Sequence, residues 1–76
     1  MVDLVRAEIA DIRDPSGRGR VKISAPLVFG EALPWAEVLR PGGKAAAYKR
    51  GDVVIVGFEG GEADRPIVLG TVSRTR

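Results

Sequence analysis

The sequence predicts an all-β protein, a small five-stranded Greek-key barrel folded as a single domain. Two counts point there. Val (10) and Ile (5) outnumber Leu (5) three to one, and 10 Gly with 5 Pro spread turn formers through 76 residues. β-branched side chains fit a pleated, half-buried surface, and Gly and Pro punctuate short strands. The 22 Val, Ile, Leu and Phe residues also exceed what a disordered chain carries.

The elements follow in order. From Val2 to Ile12 the chain alternates Val5, Ala7 and Ile9 with Arg6 and Glu8, then shifts phase so that Ile12 rather than Asp11 is apolar, which predicts a bulge near Ala10. Asp14-Pro15-Ser16-Gly17 has the chemistry of a tight turn. The return strand, 18–25, sends Val21, Ile23 and Ala25 one way and Arg20, Lys22 and Ser24 the other. Pro26 and Pro34 bracket a loop. A short third run, Trp35 to Arg40, stops at Pro41-Gly42-Gly43. Residues 44–50 hold three alanines and Tyr48, enough for one helical turn and too few for an independent helix. Val53 to Phe58 is almost continuously apolar and predicts a strand covered on both faces, with Val54, Val56 and Phe58 on one side. The acidic turn Glu59 to Asp64 leads through Arg65-Pro66 into a last strand, Ile67 to Ser73, where Pro66 reads as the start of an edge strand. Five such strands suit a barrel of the OB type spanning about 2–73, with an SH3-like barrel as the competing architecture and Arg74-Thr75-Arg76 as a short basic tail.

Composition narrows the chemistry. With no Cys there is no disulfide, thiolate ligand or thiol nucleophile, and with no His there is no imidazole base or ligand. Twelve basic against 10 acidic residues give a net charge of +2, too little to announce a nucleic-acid or membrane-surface protein. No apolar stretch approaches the roughly 20 residues that span a bilayer. Glu59, Glu62 and Asp64 share a glycine-rich turn, but without the spacing of an EF-hand and with Arg65 beside them they read as a solvated turn. Gly17-Arg18-Gly19 precedes a strand rather than a helix and reads as a hairpin, not a phosphate loop. The sequence therefore assigns no catalytic residue, cofactor or metal.

Gly51-Asp52-Val53-Val54-Ile55-Val56-Gly57-Phe58, followed by Arg65-Pro66-Ile67-Val68-Leu69-Gly70, resembles the spike-base OB domain of phage baseplates and type VI secretion valine-glycine repeat proteins. Asp14 to Ile23 is similar to that family's first hairpin, and Trp35-Ala36 to the opening of its third strand. The turn Glu59 to Asp64 departs from the family's usual Gly-Asp pair. The resemblance implies a non-catalytic part of a contractile phage tail or related injection machine, located in the tail baseplate. It further implies a homotrimeric adaptor between a tail hub protein and a spike carried on a separate chain, since only Thr71 to Arg76 follow the Leu-Gly strand.

Most of the signature residues serve core and turns: Trp35 and Phe58 read as core aromatics. Candidate partner contacts are the exposed cations Arg13, Arg18, Arg20 and Lys22 near the first hairpin, and Arg74 and Arg76 at the end. Reversing Arg18 and Arg20 to Glu is expected to spare the barrel and weaken hub docking. The rival function is single-stranded nucleic-acid binding on the face of the second and third strands. It ranks lower because no aromatic residue lies between Arg18, Arg20 and Lys22 in sequence to stack a base.

Overall fold

The computed structural model describes residues 4–43 and 48–72. Its strands are β1 (Val5–Asp11), β2 (Val21–Ser24), β3 (Trp35–Val38), β4 (Val53–Phe58) and β5 (Pro66–Thr71), with a single helical turn, α1 (Pro26–Phe29). They close into a barrel in the order β1-β2-β3-β5-β4. The β3–β5 pair is parallel and the others antiparallel. This is the OB arrangement.

Strand β1 makes closure possible by serving two neighbours: Glu8 lies opposite Ser24 of β2 and Val53 of β4. The predicted bulge is present. Ile9 faces Ile23 and Asp11 faces Lys22, leaving Ala10 as the extra residue, so apolar side chains stay inward up to Ile9 while the strand bends. Ile9, Ile23, Val54, Val56 and Val68 are fully buried, and Ala7, Val21, Ala25 and Ala36 complete the interior. Each buried Val or Ile side chain contributes roughly 1.5–3 kcal/mol of transfer free energy. Phe58 packs against this core, edge-on to Phe29 of α1 with ring centroids 6.1 Å apart.

Four expectations need adjustment. The second strand starts at Val21, not residue 18, because the Asp14 carboxylate takes the Arg20 amide hydrogen at 3.0 Å and draws that residue out of the ladder. The segment between Pro26 and Pro34 is not wholly loop. Pro26 opens α1 where its fixed φ suits a first turn, and Gly30 (φ 62°) ends it by donating to the Pro26 carbonyl. Strand β5 is no edge: it lies between β3 and β4, with Pro66 buried at its first position opposite Phe58. The outer residues of β4, namely Val53, Ile55 and Gly57, are half-buried rather than covered. Of the segment 44–50, residues 44–47 lie outside the described residues, and Tyr48 packs against the core.

Candidate functional site

The predicted contact residues Arg13, Arg18, Arg20 and Lys22 fall on or beside the β1–β2 loop, and the structure gives them different roles. Arg13 is exposed and folds back on Asp11. Its amide donates to Asp11 Oδ1 at 3.0 Å and its Nε to the same oxygen at 3.3 Å, and these bonds hold the Asp11 carboxyl below its ordinary range. Such an exposed pair is worth little to stability. Arg74 and Arg76 lie outside the described residues.

Arg20 is not a free cation. Its Nε donates to Asp14 Oδ2 at 3.0 Å and its Nη2 to Asp14 Oδ1 at 3.2 Å, a side-on fork onto a carboxylate whose side chain is 2% exposed. Asp14 also accepts from the Ser16 amide (2.9 Å) and hydroxyl (2.8 Å). The Arg20 guanidinium, with these Ser16 donors, holds the Asp14 carboxyl far below the carboxylate range, and Asp14 raises Arg20 in turn. The turn Asp14-Pro15-Ser16-Gly17, read from turn chemistry alone, is thus organised around one buried carboxylate.

Lys22 faces Trp35 across the β2–β3 pair. Trp35 is not a core residue. Ala36 points inward and is fully buried, so Trp35 and Glu37 stand on the outer face, where Trp35 is half-buried beneath two cations. Arg20 Cζ lies 5.7 Å and Lys22 Nζ 5.1 Å from the indole centroid, within cation–π range. The alternation Trp35-Ala36-Glu37-Val38 carried that signal: a strand that sends Glu37 to solvent sends Trp35 with it.

Around Trp35 the β1–β2 and β4–β5 loops bound an open cleft of about 360 Å³. The first loop contributes Arg18 and Arg20, the second Glu59, Asp64 and Arg65, and β3 contributes Trp35 and Glu37. Among the described residues the ion pairs are Arg13–Asp11 and Arg20–Asp14, so Arg18, Arg65, Glu37 and Asp64 enter none. Arg40 extends the basic rim and donates to the Arg18 carbonyl at 3.3 Å. Arg40 and Arg65 come from loops that only closure of the barrel brings beside the first hairpin, so no local pattern groups them with Arg18 and Arg20. The cleft presents an aromatic surface flanked by unpaired charges of both signs, chemistry suited to reading a protein surface.

The model of the type VI secretion system/phage-baseplate injector OB domain matches residues 5–72. Among curated proteins none matches the chain.

Proposed function

From the premise that this chain belongs to the type VI secretion system/phage-baseplate injector OB domain family, we propose that it serves as a non-catalytic adaptor between a tail hub and the spike. The family is a structural one of baseplates and injectors. In this reading three copies stand about the tail axis in the virion baseplate, one end of each on the hub and the other toward the spike. A closed barrel suits that work because its ladder is complete and its loops can vary without disturbing the core. The observation that carries the reading is the cleft beside the first hairpin, where Arg18, Arg65, Glu37 and Asp64 surround Trp35 without pairing with one another. Charges so placed steer docking and fix orientation.

The experiment is charge reversal at Arg18 together with Lys22. Arg20 is left alone because reversing it would put a carboxylate beside Asp14 and open the turn, which makes the pair Arg18 and Arg20 a poor choice of double variant. Arg18→Glu/Lys22→Glu should keep the far-UV circular dichroism of the barrel and weaken binding to the purified hub of the same tail roughly tenfold, about 1.4 kcal/mol. Unchanged hub binding by the folded variant refutes the assignment.

Single-stranded nucleic-acid binding gains one supporting observation, since Trp35 does lie between Arg20 and Lys22 in space. It stays behind the adaptor reading. Glu37, Glu59 and Asp64 line the same cleft and would repel a phosphate backbone, and Arg20 is already committed to Asp14. Oligonucleotide binding that falls steeply with salt and disappears in Trp35→Ala would reverse this ranking.

A further inference from the structure

The cleft around Trp35 has two walls of opposite character. On the first-loop side Arg20 is neutralised by Asp14, which leaves Arg18 and, beside it, Arg40 as the free cations. On the second-loop side Glu59 and Asp64 outnumber the one cation, Arg65. Between the walls Trp35, Pro66 and Ile67 make a floor that is apolar except for Glu37. No ion pair crosses the gap, since the pairs among the described residues are Arg13–Asp11 and Arg20–Asp14. Opposed charges held apart across an apolar floor form a fixed dipole whose two ends each lack a counter-ion. What completes them is a guest whose own charges run the other way.

The basic wall is built in advance of any guest. Arg40 occupies the space that Gly19, lacking a Cβ, leaves against the loop, and its Nη2 donates to the Arg18 carbonyl at 3.3 Å. Arg20, locked onto the buried Asp14 carboxylate, lies 5.7 Å from the indole centroid of Trp35, and Lys22 lies 5.1 Å from it. Groups already held in place lose less freedom on binding. A tryptophan among arginines is also where binding energy concentrates at interfaces.

We propose that the guest is an extended segment of a partner protein in which an acidic and a basic side chain flank an apolar one, the acid on Arg18, the base on Asp64 and the apolar group over Trp35. The class follows from the lining. A segment with carboxylates alone would face Glu59 and Asp64, and one with cations alone would face Arg18 and Arg40. A nucleic-acid strand, whose phosphates carry one sign only, meets an acidic wall however it is turned. At about 360 Å³ and open to solvent, the cleft receives a few side chains of a passing chain, rather than enclosing the roughly 70–90% of a small ligand's surface that a dedicated pocket covers. The proposal rests on the adaptor reading for the guest's being a protein and adds the pattern by which that protein is recognised.

Trp35 is the one tryptophan of the chain, so its fluorescence reports on the cleft directly. The probes are end-capped peptides containing Glu-Ser-Leu-Ser-Lys, Glu-Ser-Leu-Ser-Glu or Lys-Ser-Leu-Ser-Lys, in which alternate residues share one face of an extended chain. Titrated against the purified full chain, the mixed peptide should shift Trp35 emission saturably and bind about tenfold more tightly than either like-charged one. Long-range attraction to a chain of net charge +2 would instead favour the acidic peptide. Arg18→Glu should move the preference toward the basic peptide and Asp64→Lys toward the acidic one. Both positions are exposed and in no ion pair, so far-UV circular dichroism should match wild type. The proposal is overturned by the absence of a saturable shift, by equal binding of the three peptides, or by a preference that neither variant moves. A thymidine oligonucleotide that binds more tightly than the mixed peptide at the same salt overturns it as well. Hub binding without any peptide preference removes this proposal and leaves the adaptor reading standing, whereas a peptide preference in a chain that ignores the hub supports the recognition pattern and removes the hub as its source.

Discussion

Arg20 grips Asp14 through two nitrogens of one guanidinium, Nε on Oδ2 at 3.0 Å and Nη2 on Oδ1 at 3.2 Å, while the Arg20 amide donates to Oδ2 as well. One carboxylate therefore fixes both the side chain and the backbone of the residue that leads into β2. Lysine has no planar fork and cannot reproduce the two parallel bonds. Arg20→Lys should lower the melting temperature by several degrees, and Asp14→Ala should lower it further by also freeing the Ser16 amide. Calorimetry on the two variants checks the order.

Acid titration isolates the same group. The folded state holds the Asp14 carboxyl far below its ordinary range, so the unfolded chain takes up a proton first as the pH falls. The stability contributed by Asp14 is fully present above the unfolded value, about 3.9, and is lost as pH drops from there toward the folded one. Urea midpoints measured near neutrality and at about pH 3 should fall more for wild type than for Asp14→Asn, which starts lower but lacks this proton linkage. Equal losses in the two proteins would count against the pairing.

Gly19 tests the backbone of the same loop. Its φ is +77°, and a Cβ there would run into the Arg40 guanidinium that donates to the Arg18 carbonyl. Gly19→Ala should cost roughly 1–2 kcal/mol from the left-handed conformation alone, about 4–8 °C in melting temperature for each kcal/mol. Arg40 is a flexible surface side chain that can move aside. Arg40→Ala alone should stay within about 0.5 kcal/mol of wild type, and Gly19→Ala/Arg40→Ala should keep most of the glycine penalty.

In the interior, Ile23 is fully buried at the centre of β2, opposite Ile9. Ile23→Ala should destabilise by about 2–5 kcal/mol, the cost of lost transfer energy plus the cavity left behind. Chemical denaturation reads this directly as a lower midpoint with an unchanged slope.

Much of the barrel was legible in local pattern. The phase shift between Ile9 and Ile12 gave the bulge, and Val21-Lys22-Ile23 and Val54-Ile55-Val56 gave their inward faces, because period-two alternation is a property of single strands. What escaped depends on neighbours far away in sequence. Pro66 looked like an edge residue because nothing local says that β3 and β4 flank it. In local pattern Arg20 is one of three solvated cations, because its partner, Asp14, has the sequence marks of a turn former alone. α1 leaves no mark in the sequence pattern, because four residues cannot show helical periodicity. Of the candidate contacts, Arg18 and Arg20 do meet in the cleft with Trp35, whereas Arg13 turns toward Asp11.

The pairing of Val5 with Val56 has a kinetic meaning. The β1–β2 hairpin joins residues close in sequence and can form early, but the seam between β1 and β4 unites strands with β2, α1 and β3 between them in the chain. That seam must wait until most of the intervening chain has been ordered, with its loop-closure entropy met before the contact stabilises anything. Refolding of so small a protein should accordingly take milliseconds to seconds, the pace set by non-local pairing, and not the microseconds that helical chains of similar length reach.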